Sequence, residues 1–258
     1  LDLIYFSIPC NEKDFEIVIQ SLSKINCKGV NLTIPYKEKG LNYCNKISPV
    51  AEKIKAVNTL KPDGKGKWNG INTDVEGLIY PLKKLNLVDK QAIILGSGGA
   101  ARSAIQGLIN LKMSKIIVIS RNQIALKSLL NDFKDENLIE GVSLNNPNIL
   151  SLINTMDLII NTTPVGMMKN PNDEEALPFG NNFWTSLNSK TIIYDLIYNP
   201  QETSLLSHCR KKGCHTINGM KMLIAQGAKS LSYWTDGLEI PFEIMEEAIK
   251  KHLKNFQI

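Results

Sequence analysis

The chain predicts an α/β fold of two α/β domains, the second built on a doubly wound parallel sheet. Three observations predict it. From residue 75 onward, short apolar runs alternate with longer stretches of helical periodicity. A glycine-rich turn follows the first of those runs and opens directly into a helix. The preceding residues carry shorter runs, punctuated by Pro35, Pro49 and Pro62, with mixed connections.

Taken in order, residues 2–7 alternate like a strand, and Asp14 reads as the N-cap of a helix from Phe15 to Leu22. Residues 29–34 read as a strand that stops at Pro35, because proline cannot continue a central ladder. Short helices are expected over 36–43 and 49–54, and strands over 57–61 and 67–72 around the turn Pro62-Asp63-Gly64. A helix from Val75 to Leu87 follows. Strand 91–95, the glycine turn, a helix to Leu111, strand 116–119, helix 123–133 and strands 158–160 and 192–195 then give the alternation of a sheet covered on both faces. Helices over 203–212, 221–234 and 241–254 close the chain. The acidic, proline-containing stretch 170–178 reads as a surface excursion placed to act as a lid. Domain boundaries are expected at 1–78 with 220–258 for one domain and at 79–219 for the other.

Composition narrows the function classes. The 258 residues are 43% hydrophobic and 21% charged, which excludes disordered and collagen-like chains. Net charge is +5, but the lysines are scattered and no basic arm interleaves with aromatics, so no nucleic-acid partner is expected. A mildly basic balance favours anionic small molecules. Five cysteines without a CxxC pair predict a reducing compartment and a cytoplasmic location. No apolar run approaches the roughly 18 residues of a membrane span, and no signal peptide is read. His208-Cys209 and Cys214-His215 lack the spacing of a zinc site, so no metal is expected.

The turn Gly96-Ser97-Gly98-Gly99-Ala100-Ala101 lies between a strand and a helix. Glycines let a backbone turn tightly and approach a pyrophosphate, whose charge the helix N-terminus favours. The third glycine of the usual pattern is Ala101, still small enough for close helix–strand packing. The next strand ends in Ser120-Arg121-Asn122, without the acid that would bind a ribose 2′-hydroxyl. Arg121 has the planar fork suited to a 2′-phosphate, and Ser120 and Asn122 add hydrogen bonds, so NADP is the expected cofactor.

Polar residues also cluster in short phrases: Asn31-Leu-Thr-Ile-Pro-Tyr-Lys37, Ala56-Val-Asn-Thr-Leu60, Asn72-Thr-Asp-Val-Glu-Gly77, Asn161-Thr-Thr-Pro-Val-Gly-Met167 and Asn218-Gly-Met-Lys-Met-Leu-Ile-Ala-Gln226. Lysine and aspartate make a proton-handling pair, while Asn, Thr and Gln hold hydroxyl groups without adding charge. Together with the glycine turn, and in this order, these phrases resemble the motif set of shikimate dehydrogenases over nearly the whole chain. The resemblance implies Lys37 and Asp74 as the catalytic pair, with Thr33, Asn58 and Gln226 on the ring hydroxyls and Tyr198 lining the substrate cleft. It implies NADP on Gly96, Ser97, Gly98, Gly99, Ala100, Ser120, Arg121 and Asn122, with Thr162 and Gly219 near the nicotinamide. The first domain would then bind substrate, and the second would be the Rossmann-type NADP domain of a monomer or homodimer. The implied reaction is the reversible NADPH-dependent reduction of 3-dehydroshikimate, in the biosynthesis of chorismate and the aromatic amino acids.

Family members begin with a further strand and helix bearing a Ser-x-Ser phrase that binds the substrate carboxylate. This sequence starts at Leu1, at what reads as the second strand, so a chain lacking that clamp is expected to bind NADP yet turn over poorly. Other readings are a quinate/shikimate dehydrogenase using NAD(P), or a non-catalytic NADP-binding module of the same fold. A methylenetetrahydrofolate dehydrogenase shares the architecture but not the motif order.

Overall fold

The computed structural model describes residues 2–167 and 177–255 and divides into two compact units, Leu1–Asn72 and Thr73–Ile258. The stretch read as a lid falls largely outside the described residues.

In the first unit, helix α1 (Phe15–Leu22) precedes strand β1 (Val30–Asn31), helix α2 (Tyr36–Lys39), strand β2 (Cys44–Ile47), helix α3 (Pro49–Lys53) and strands β3 (Thr59–Pro62) and β4 (Trp68–Ile71). The sheet order is β1-β3-β4-β2, antiparallel except for the β2–β4 pair. Phe15 and Ile19 of α1 pack with Leu32, Val57, Leu60 and Trp68, and the Trp68 indole donates to the Ile19 carbonyl at 3.1 Å. Phe15 also stacks on Tyr36 at 4.5 Å between ring centroids.

One expectation fails here, and a second, the N-cap at Asp14, holds in position but not in its side-chain bond. Residues 2–7 form no strand, and Ile4, Tyr5 and Phe6 stand exposed. Alternation creates two faces, but a strand also needs a backbone partner, and among the described residues β1 is paired to β3 alone. Asp14 precedes α1 without a side-chain capping bond, because its backbone is already helical (φ −98°, ψ −10°) rather than extended as a cap requires. Its carbonyl accepts from Val18 instead.

The second unit runs helix α4 (Asp74–Ile79), strand β5 (Gln91–Leu95), helix α5 (Gly99–Asn110), strand β6 (Lys115–Ser120), helix α6 (Gln123–Asp132), strand β7 (Ile139–Ser143), helix α7 (Ile149–Thr155), strand β8 (Leu158–Asn161), strand β9 (Ile192–Asp195), helix α8 (Ser204–Lys211), strand β10 (His215–Ile217) and helices α9 (Met220–Trp234) and α10 (Phe242–Asn255). The six strands are parallel in the order β10-β9-β8-β5-β6-β7. The order reverses between β5 and β8, which is the switch point where such sheets bind ligands. Helix α4 is shorter than the expected 75–87. It ends before Pro81, which supplies no N–H to continue the helix, and gives way to a 3₁₀ turn.

Ile93, Leu95, Ile117, Ile119, Ile159 and Ile193 form one face of the sheet and pack on Trp184, Leu206 and the thiols Cys209 and Cys214. All five cysteines are free; Cys10, Cys27 and Cys44 lie partly buried in the first unit. Among the described residues, no helix is long and apolar enough to cross a membrane, and no three His, Cys, Asp or Glu side chains group as metal ligands.

Candidate cofactor and catalytic site

Strand β5 delivers the glycine turn to the switch point. Gly96 has φ +106°, a conformation open to glycine, and a Cβ there would lie 2.7 Å from the Thr162 hydroxyl. That glycine is needed by the protein itself. Gly98 and Gly99 differ, since a Cβ added at either would meet no protein atom within 4 Å. Among the described residues, no packing calls for glycine at these two positions. A ligand approaching the backbone would call for it, at the start of a twelve-residue helix whose N-cap offers no side-chain acceptor. Ala101 is fully buried, so the small third residue serves helix packing. These residues fit the pyrophosphate of a dinucleotide.

At the end of β6, Ser120 is buried and its hydroxyl lies 2.9 Å from that of Ser97, joining this strand end to the glycine turn. Arg121 is exposed. The Asn122 side chain caps α6, its Oδ1 accepting from the Ala125 N–H at 3.0 Å, so only its amide N–H groups remain for a ligand.

Across the switch point, the Thr162 hydroxyl donates to the Leu95 carbonyl at 2.6 Å, which turns this side chain into the sheet. Next to it lies a buried polar network. Asn161 Nδ2 donates to Asp195 Oδ1 at 3.0 Å, while Asn161 Oδ1 accepts from the N–H and hydroxyl of Thr163 at 3.0 and 2.7 Å. Asp195 also accepts from the Ile197 N–H at 3.2 Å and the Thr203 hydroxyl at 2.7 Å. Its carboxyl is pushed up to about 6 by burial, which these hydrogen bonds only partly offset. Gly219 abuts the same loop: its N–H donates to the Ile197 carbonyl at 2.9 Å, and a Cβ would lie 2.0 Å from the Leu196 carbonyl oxygen.

The expected catalytic and substrate residues are placed by both units. In the first, Lys37 is half-buried on α2, and its carbonyl accepts from the Val57 N–H at 2.9 Å, which brings the neighbouring Asn58 to the same corner. Asn58 is buried, and Thr33 is exposed just before α2. In the second, Asp74 is buried in the first turn of α4, and Gln226 sits on α9. The two helices cross closely at Gly77, where a Cβ would lie 2.9 Å from the Met222 carbonyl oxygen and from Gln226 Cβ. Thr73, beside Asp74, reaches Ser230 at 3.2 Å and Gln226 at 3.5 Å. Tyr198 is exposed on the loop after β9.

Residues 1–60 match the family profile described as the shikimate dehydrogenase substrate binding domain. Residues 81–168 match that of shikimate / quinate 5-dehydrogenase, and 219–250 the shikimate 5′-dehydrogenase C-terminal domain. A protein of Prochlorococcus marinus subsp. pastoris named shikimate dehydrogenase (NADP(+)) is 59% identical over 98% of this chain and 88% of its own length. The chain belongs to the shikimate dehydrogenase family. Its fold is that of solved family members. Shikimate 5-dehydrogenase from Thermus thermophilus, in complex with NADP(H) and shikimate, superposes with a TM-score of 0.79 at 29% identity, covering 94% of this chain and 85% of that one. The Listeria monocytogenes enzyme, in complex with shikimate and NAD, gives 0.81 at 27%, covering 94% and 84%.

Reading the sequence missed the hydrogen bonds that Asp195 accepts from Asn161 and Thr203. A signal was present: Ile192-Ile-Tyr-Asp195 and Leu158-Ile-Ile-Asn161 are apolar runs that each end on a polar residue at the ligand-facing end of a parallel strand.

Proposed function

We propose that this chain catalyses the reversible reduction of 3-dehydroshikimate to shikimate with NADPH, a step towards chorismate and the aromatic amino acids. It is an NADP-dependent oxidoreductase. The observation that carries the cofactor is the pair Gly98 and Gly99, for which no packing among the described residues calls, followed one strand later by Arg121 without an acid. Arg121 pairs with the 2′-phosphate, and the α5 N-terminus faces the pyrophosphate. When bound, the cofactor supplies the hydride.

The chain's own residues do the rest. Lys37 gives its proton to the substrate oxygen on which negative charge develops, and Asp74 orients the ammonium. Thr33, Asn58 and Gln226 hold the ring hydroxyls, and Tyr198 lines the cleft. Substrate binding falls to 1–78 with 220–258, and NADP binding to 79–219. The close crossing of α4 and α9 supports grouping Asp74 with Gln226. Five free cysteines support a cytoplasmic location.

The test is cofactor reduction by the protein of the full natural reading frame, with shikimate and with quinate, each offered with NADP+ and with NAD+. Turnover confined to shikimate and NADP+ is expected. Quinate turnover at a comparable rate, or a preference for NAD+, redirects the assignment to a quinate/shikimate dehydrogenase. Silence in every pair, from a folded protein that binds NADP+, makes it a binding module.

A further inference from the structure

The cofactor reading, on which this inference rests, orients the dinucleotide. With the pyrophosphate on the turn after β5 and the 2′-phosphate at Arg121 after β6, the β5–β6 side of the switch point would hold the adenosine half. The carboxyl ends of β8 and β9 would then hold the other half. Two backbone segments make up that floor: the turn Thr162–Gly166 and the loop from Leu196 to Thr203.

One side chain joins them. Asp195 is fully buried at the end of β9. Its Oδ1 accepts from Asn161, which in turn holds both the N–H and the hydroxyl of Thr163. The same oxygen accepts from the Ile197 N–H, whose residue receives the Gly219 N–H on its carbonyl. Its Oδ2 accepts from Thr203, the N-cap of α8, and Gly166 packs with a Cβ position 3.5 Å from that threonine. We infer that Asp195 is a positioning residue for hydride transfer, a buried carboxylate that clamps the two segments under the nicotinamide half of the cofactor.

Neither the fold nor general polarity explains a carboxylate here. Burial opposes its charge despite three hydrogen bonds, a cost that an amide or an alkyl side chain would not carry. Its advantage is that both oxygens accept. The lone pairs of the Thr203 hydroxyl face the Leu206 N–H at 3.3 Å, so its proton is left for Asp195. Asparagine in place of Asp195 would turn an N–H₂ either towards this donor or towards Asn161 and Ile197.

The experiment compares Asp195→Asn, Thr203→Val and Thr203→Ser in the full chain. It measures kcat with shikimate and affinity for NADP+ and for adenosine 2′,5′-bisphosphate, a probe of the Arg121 side alone. Asp195→Asn and Thr203→Val are expected to lower kcat about ten- to a hundredfold, as small misplacements of reacting groups do. Thr203→Ser keeps the donor and restores kcat to within about twofold. Affinity for the bisphosphate stays within about twofold throughout, while the preference for NADP+ over it shrinks about threefold or more in Asp195→Asn. Bisphosphate affinity falling in step with kcat overturns the inference, because the defect is then a general loosening. So does a kcat within about twofold of the parent in Asp195→Asn or, where that variant does not fold, in Thr203→Val. Should the parent fail to turn over shikimate, the functional proposal falls by itself. The affinity ratio needs no turnover and still decides for Asp195, an unchanged ratio overturning its role.

Discussion

Lys37 is half-buried and tied to the fold through its backbone carbonyl, a tie that a change of side chain leaves in place. Lys37→Ala is expected to reduce kcat by ~10²–10⁴, the range of a lost general acid, with the fold intact. Near-normal turnover would remove the lysine from the mechanism. Asp195 makes a second prediction. Its neutral form is favoured by burial up to about pH 6, so the stability it contributes is full below its ordinary value of 3.8 and is lost as pH rises through about 6. Asp195→Asn lacks that slope. The melting-temperature difference between variant and parent, followed across this window, should therefore shift in favour of the variant as pH rises; a flat difference contradicts the burial account. At this scale the sequence offers candidates wherever polar residues form a contiguous phrase, as Lys37, Asn58 and Asp74 do. The clamp was harder to see, because Asn161 and Asp195 are 34 residues apart and only the parallel pairing of β8 with β9 makes them neighbours.

Glycines separate the demands of packing from those of binding among the elements. Gly77 lets α4 and α9 cross, and a methyl there would press on the Met222 carbonyl. Gly77→Ala should cost ~1–3 kcal/mol of stability and disturb the elements carrying Asp74 and Gln226. Gly98→Ala meets open space, so it should leave the melting temperature alone and raise the KM for NADP on the order of tenfold, by obstructing the approach to the turn. Thermal melts and cofactor titrations of the two variants check the contrast; a Gly98→Ala protein that melts early but binds normally would reverse it. The strands that escaped the sequence reading, β2 and β7, are both at sheet edges. Edge strands have one backbone neighbour and tolerate exposed polar residues, so β2 carries exposed Asn45 and Lys46, and β7 exposed Glu140 and Gly141. The central strands β5, β6 and β8 are buried on both faces and read as continuous apolar runs. Helix α7, seven residues long, is too short for its period to stand out.

For the molecule as a whole, parallel βα alternation leaves few topologies open, which is why the second unit was legible in outline. The first unit, with a two-residue strand and one parallel pair in an otherwise antiparallel sheet, has no comparable rule. Binding NADP at about a hundred times its Kd should stabilise the fold by ~2.7 kcal/mol. That corresponds to roughly 5–10 °C for a chain of this size. In Arg121→Ala the same NADP concentration should give a clearly smaller shift, since a lost charge-assisted bond is worth ~1.5–3 kcal/mol, while any NAD shift stays as it was. Equal NADP shifts in parent and variant would release Arg121 from the 2′-phosphate role.

The placement of the thiols makes the two units chemically distinguishable. Burial pushes Cys209 up to about 12 and raises Cys214, which withholds the thiolate that alkylating reagents attack. Cys44 is pushed up to about 11 by the same cause. A maleimide added to the native protein should therefore label Cys10 and Cys27 first, and peptide mapping would find Cys209 and Cys214 modified only once the second unit opens. The chain thus carries its own reporter, in which modification of Cys209 and Cys214 records the opening of the second unit.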